Sequence, residues 1–393
     1  MTLLHEPMPR ASTENDHAPG LPAFVGTVFD CLPRADQRKW AKAYVEALLQ
    51  TRGRKSLRRL AESVSDSRTA SQALHQFVNA SPWDWLAARQ GLLRWAARAG
   101  TTATAWTLVP VFIPKRGDHS AGVHRRFDPV RGRLVNCQLG MAVLVTGEYG
   151  PLPVDWDLYV PREWTGDRRT RARVPEEIHG PLWSQALRLV RRAPSWQSVH
   201  EAPVTADLSW LPDREAFLTR LTRSERPFVV KVPDTVRLVR TTHPATGSPP
   251  LTVRRVLANA SAAAGAEGGD HVVSLPVALP GRSTERVPLR LLVRHRPNDS
   301  AGTWLTNLVD RQLPELLPLM RQPRLAAGVV STLKEDFGLE DFEGRSFPGW
   351  HHHTTLVSAA FAYSRVGDHA AGAATASGDR RVRHGYKTSP SAS

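Results

Sequence analysis

Cysteine is scarce in this sequence: Cys31 and Cys137 are the only two among 393 residues. They stand far apart with no Cys-x-x-Cys pair, which argues against a disulfide framework or a zinc ribbon and suits a reducing cytoplasm. No run of about 18 apolar residues occurs, and the first residues carry Glu6, Glu14 and Asp16 where a signal peptide needs an apolar core, so neither a membrane span nor export is expected. A Gly-x-Ser-x-Gly nucleophile phrase is missing, as are the Gly-rich loops that cradle nucleotide phosphates. Acid is also short, with 37 Asp+Glu against 52 Lys+Arg and a net charge of +15. Such a surface gains affinity for polyanions by releasing their counterions, which points to nucleic acid. What is present otherwise is ordinary for a globular chain, 41% hydrophobic and 23% charged, and the length suits two or three structural units.

Residues 1–22, rich in Pro, Ser and Thr, read as a disordered leader. Apolar residues at helical spacing (Trp40, Tyr44, Leu48, then Leu57, Leu60 and Leu74, Phe77, Val78) predict an all-helical unit over 23–99. Ser81 followed by Pro82 marks its last helix start. After Gly100 the pattern changes to apolar or alternating runs at 107–114, 134–145 and 152–161, three consecutive strands. Helices at 179–193 and 213–224 then alternate with strands ending at Asp207 and covering 227–233, which predicts a mixed α/β sheet. Residues 234–300 read as a β-rich insertion, 301–366 return to the sheet domain with a strand and two helices, and 367–393 read as a disordered basic tail.

Several phrases, in this order, resemble DDE transposases of actinobacterial insertion sequences: RADQRKWAKAYVEALL and GRKS (34–56), QALHQFVNASPWD (72–84), NCQLGM (136–141), VDWDLYVPREW (154–164) and FEGRSFPGWHHHTTLVSAA (342–360). The resemblance spans most of the chain and implies an RNase H-like sheet bearing two aspartates and a glutamate that hold two divalent ions. In-line phosphoryl displacement needs them, because paired metals activate the attacking oxygen and stabilise the leaving one, and Mg²⁺ asks for carboxylate oxygens.

Carried over residue by residue, the family pattern is incomplete. Its Pro-Lys-basic-Gly phrase matches Pro114, Lys115, Arg116 and Gly117, which places the doubled first aspartate on Val109 and Pro110. The second aspartate matches Asp207, after Ala206. The glutamate falls on Ala327. Neither Glu335 nor Asp336 substitutes, since they lie roughly 12 Å further along a helix at about 1.5 Å per residue. Asp155 and Asp157, on one face of a strand, are with Asp207 the candidates for a rebuilt site.

The resemblance assigns DNA binding to the helical unit, where Arg52, Arg54, Lys55, Arg58 and Arg59 form a basic run suited to phosphate contacts, a solvated helix face being the plain alternative. Lys115, Arg116, Arg125 and Arg126 cluster after the first strand, where DNA would cross. His351, His352 and His353 are adjacent and point about 100° apart on a helix, so they cannot share one ion; a structural or DNA-facing role is expected. The sequence thus predicts a DNA-binding transposase-like protein that has lost strand transfer, with no cofactor expected and homo-oligomerisation left open. The alternative is an active enzyme using Mg²⁺ at Asp155, Asp157 and Asp207, and a third reading is a protein scaffold.

Overall fold

The computed structural model describes residues 20–99, 102–128, 131–195, 202–241, 249–264, 271–281, 287–296 and 299–384; of the leader expected over 1–22, only residues 20–22 fall within these. Five helices come first: α1 (Leu21–Val28), α2 (Ala35–Gln50), α3 (Leu57–Val64), α4 (Ala70–Asn79) and α5 (Trp85–Arg98). Ser56 caps α3 by accepting from the Arg59 N–H. The cap of α5 is Asp84 and not Ser81: its carboxylate accepts from Leu86 N–H at 2.8 Å and Ala87 N–H at 3.2 Å, satisfying two donors where a hydroxyl would satisfy one. Ser81 instead accepts from Gln37 Nε2 at 2.9 Å.

The sheet begins with β1 (Ala105–Pro114), β2 (His124–Asp128), β3 (Arg133–Gly147) and β4 (Gly150–Leu158), followed by α6 (Gly166–Arg171), α7 (Leu182–Ser195), β5 (Val204–Asp207), α8 (Arg214–Thr222) and β6 (Phe228–Lys231). Strands β4, β3, β1, β5 and β6 lie side by side in that order, β3 antiparallel to both neighbours and β5 and β6 parallel to β1. This is the strand order and polarity of an RNase H-like core, with the crossover helices α7 and α8 where parallel strands require them. Nine of the ten residues of β1 are buried or half-buried, as a central strand covered on both faces must be, which explains its unbroken apolar run. Pro110 fits there because the ladder to β5 ends at the pair Leu108 and Ala206. Trp106 sends its N–H toward that side, to Pro203 O, so Pro110, four residues on, lies past the last bond that its missing donor would have made.

The insertion holds β7 (Arg237–Arg240), β8 (Leu251–Thr252), α9 (Val253–Ala264), β9 (His271–Ala278), β10 (Leu289–Arg296) and β11 (Asp299–Thr306). It extends the same sheet, β11 pairing antiparallel with β6, to give 11 strands in all. Two helices close the chain, α10 (Leu313–Glu335) and α11 (Phe347–His384). The latter runs on to His384, into the segment whose composition suggests a disordered tail and whose Ala-rich stretch has high helix propensity.

The helical unit is not a separate body. A single apolar core runs from Phe24 through Trp83 and Leu92 to Trp156, Trp350 and Val366, and α11 packs against α2, α4 and α5 on one side and β4 on the other. Gly140 in β3 permits this docking: a Cβ there would lie 2.9 Å from the Trp350 ring. Among the described residues no helix is long and apolar enough to cross a membrane.

Candidate functional site at the carboxyl ends of the central strands

Ligands of open α/β sheets gather at the carboxyl ends of parallel strands, here the ends of β1, β5 and β6. Thr107 pairs with Thr205 and Leu108 with Ala206, so Val109 and Asp207, one residue further along each strand, stand side by side on one face. Thr107 and Thr205 confirm the shared face through a hydroxyl bond of 2.8 Å. The sheet register therefore places Val109, the position matched to the first aspartate, next to Asp207, the position matched to the second.

Helix α10 covers this face. Thr146, paired with Ala105, donates to Gln322 Oε1 at 2.9 Å, and further along β1 Lys334 Nζ donates to Phe112 O at 2.8 Å. The helical residues between Gln322 and Lys334 are the ones that pass over Val109, and none is acidic. Ala327, the position matched to the glutamate, points to solvent, while Ala326 is fully buried. The inward position differs by one residue from the ungapped match because the helix, and not the alignment, fixes which residue faces the sheet. Either residue is alanine. Glu335 and Asp336 are exposed at the end of the helix.

Asp207 is about one-third exposed. Its Oδ1 accepts the Ser209 N–H at 2.9 Å, and its Oδ2 faces Lys231 Nζ at 3.2 Å, from the register partner on β6. A two-metal centre needs several convergent carboxylates, whereas this donor set is one carboxylate already facing an ammonium. The residues present do not fit a pair of divalent ions, and among the described residues no three His, Cys, Asp or Glu are grouped to hold one.

Asp155 and Asp157 are not brought to Asp207. Asp155 pairs with Val143, which pairs with Leu108, so both acids lie on the opposite face of the sheet, on a strand three positions away. Both are buried. Asp155 Oδ1 accepts from Arg89 Nη1 at 3.1 Å and Arg192 Nη2 at 3.0 Å, and Oδ2 from Arg192 Nε at 2.7 Å. Burial raises the Asp157 carboxyl above its ordinary pKa, with Arg192 opposing. Sheet register thus separates Asp155 and Asp157 from Asp207, and the three do not converge.

Arg89 was not singled out by its sequence, since one Arg in an amphipathic helix carries no signal. It is fully buried at the edge of β4, where it also donates to Trp156 O at 2.8 Å and Thr355 Oγ1 at 2.9 Å and meets His351 Nδ1 at 3.0 Å. Burial lowers its pKa to about 10, still cationic at neutral pH. The three histidines have three separate tasks. His351 stacks on Trp85, His352 stacks on Trp83 and reaches Val78 O and Trp83 O at 2.8 and 3.0 Å, and His353 joins Tyr44 Oη at 3.0 Å to Gly338 O at 3.1 Å. All are buried, and desolvation holds His352 and His353 down at about 4 and His351 well below its usual range. They join α11 to the helical unit and do not face solvent.

The basic residues divide as well. Arg52, Arg54, Arg58 and Arg59 are exposed, with Arg54 paired to Glu343 at 2.7 Å, Arg58 to Glu62 at 2.8 Å, and Arg59 tying down the loop through Arg52 O and Arg54 O. Lys55 is buried, its ammonium on Thr51 O and its N–H on Asp341 Oδ2 at 2.7 Å, so it is a strut and not a phosphate contact. Lys115 is another: Nζ donates to Phe342 O at 2.7 Å, and burial lowers its pKa. Arg116 and Arg125 are exposed beside the strand ends. Arg126 is half-buried and donates to Trp210 O at 3.0 Å, just past Asp207.

The strand order and polarity define an RNase H-like fold. Residues 27–267 match the model of the DDE superfamily endonucleases, and the chain belongs to that family. No curated protein matches it. Among solved structures it is similar to one described as the piggyBac transposase synaptic complex with hairpin DNA, at 12% identity and a TM-score of 0.47, covering 87% of this chain and 67% of that one.

Proposed function

We propose that this chain is a DNA-binding member of the DDE endonuclease family that does not cut or join strands, derived from a transposase of the kind that actinobacterial insertion sequences carry and acting as a regulator or architectural binder. The observation that carries the reading is the composition of the strand-end site: Val109 beside Asp207, an acid-free stretch of α10 above them, and Lys231 facing the one carboxylate left. Metal charge supplies much of the stabilisation of a phosphoryl-transfer transition state, so a site that cannot gather two ions loses many orders of magnitude in rate. Binding needs none of this. The net charge of +15 and the exposed arginines at 52, 54, 58, 59, 116 and 125 support it, through phosphate contacts that position a protein on a duplex without reading bases. The cytoplasm, where chromosomal DNA lies, is its place in this reading.

Supercoiled plasmid incubated with the protein and Mg²⁺ or Mn²⁺ tests it. No nicked circle above the metal-only control is expected. Turnover that Asp207→Asn abolishes would overturn the proposal, and failure to bind duplex at ~50 mM salt, where a basic binder is strongest, would favour a protein scaffold.

A further inference from the structure

Among the described residues four large apolar side chains are exposed, and two of them face each other: Phe127, 55% exposed, and Leu134, 62% exposed, are cross-strand partners in the β2–β3 hairpin. The ladder between β1 and β3 ends at Pro114 and Cys137. Lys115 N–H still donates to Asn136 O at 2.9 Å, so residues 133–135 of β3, with β2 alongside, stand out beyond the carboxyl end of β1 by about 10 Å, at roughly 3.3 Å per residue. One face of this overhang is turned inward, where Asp128 and Cys137 are buried and Arg126 bonds to Trp210 O. The other presents Arg125, Phe127 and Leu134 to solvent, beside Asn136, which donates to the exposed Asp118 at 3.2 Å, with Arg116 exposed nearby; Arg131 and Arg133 are exposed at the tip, on the side of Asp128. Asp128, the acid within the hairpin strands, is buried and held by Arg131 at 2.8 Å.

An apolar pair on an exposed edge strand calls for a partner, since edges are commonly blunted with charge or covered. Here the exposed charge beside the apolar pair is mainly positive, Arg116, Arg125 and Arg133 against Asp118, which suits a polyanion that also offers flat apolar faces. Pairing of the strand with a second copy would instead set Arg125 and Arg126 against their equivalents. We infer that the β2–β3 hairpin is a DNA wedge: its arginines hold phosphates of a duplex crossing the strand ends, and Phe127 with Leu134 enters between base steps and partly unstacks them. Apolar wedges flanked by basic residues bend and unwind DNA in this way, partly unstacking a base step to wrap more of the protein surface. This rests on the DNA-binding reading above, and it adds a deformation that phosphate contacts alone do not produce.

The full-length protein is tested on relaxed closed-circular plasmid with topoisomerase I, alongside binding to a short duplex carrying 2-aminopurine. At saturation the wild type is expected to shift the topoisomer distribution and raise 2-aminopurine fluorescence. The Phe127→Ala, Leu134→Ala double variant changes exposed side chains, so it should keep the wild-type circular dichroism and unfolding midpoint. It should lose both DNA signals and bind roughly ten- to a hundredfold more weakly. Arg125→Ala should lower the slope of log affinity against log salt by about 1 and leave the topoisomer shift intact at saturation. Wild-type binding with no topoisomer shift overturns the wedge alone; no binding at ~50 mM salt overturns the DNA reading and the wedge with it. A double variant that binds DNA as the wild type does but changes its sedimentation mass makes the hairpin a contact between copies, and the wedge is wrong.

Discussion

Asp155 and Asp207 are carboxylates on the same central sheet, three strands apart, and their surroundings are opposite. Asp155 is fully buried and satisfied by two arginines from separate helices, in a network that reaches α11 through Arg89 and His351. Asp207 is part-exposed at a strand end with one lysine beside it. The acid that joins the helical unit to the sheet is embedded in partners, while Asp207 at the strand end has Val109 beside it and an acid-free stretch of α10 above it. Positive charge follows the same division: Lys55 and Lys115 are struts at the junction, while Arg52, Arg54, Arg58, Arg59, Arg116 and Arg125 lie at the surface, two of them in surface ion pairs. The difference teaches that the polar groups holding this scaffold together are distinct from those at its strand-end site, so the two can vary separately.

The sharpest way to break this comparison is to remove Asp155. Asp155→Ala leaves Arg89 buried without its counter-charge and should cost about 3–5 kcal/mol, read as a lower denaturant midpoint. A loss as small as that of a surface pair would show that the network is dispensable. A smaller effect comes from the histidines. His352 and His353 are held at about 4 in the fold against 6.5 for a free imidazole, so between those values the unfolded chain binds protons that the fold refuses. Their contribution to stability is complete above about pH 6.5 and is lost as pH falls toward 4. Unfolding followed between pH 4 and 7 should show this slope, and His353→Asn should flatten it. The smallest effect is expected at the strand end. Asp207→Asn removes a part-exposed pair and should change stability by less than about 1 kcal/mol. A loss comparable to that of Asp155→Ala would mean that Asp207, too, is structural.

Much of the fold was legible from the residues. The alternating runs predict β1, β3 and β4, and the later alternation predicts α7, β5, α8 and β6, because local periodicity reports burial directly. The insertion reads as β-rich, but nothing local says that β11 pairs with β6 and continues the same sheet. The join between the helical unit and α11 was equally hidden, since the buried partners of Arg89 lie 66 to 266 residues away in the chain. The hairpin overhang is hidden for another reason: Phe127 and Leu134 look like ordinary strand residues, and only the end of β1 shows that among the described residues they stand exposed.

The sequence by itself determined the order of elements, the excess of positive charge and the identity of the residues at the family's acid positions, because each is a property of a residue or its near neighbours. Tertiary structure alone decided which acids share a face, which lysines are buried, that Ala326 and not Ala327 turns inward, and that three adjacent histidines serve three different contacts. Face and level on a sheet follow from cross-strand register, and a shift of one residue reverses them. That register is set by pairings between residues distant in the chain.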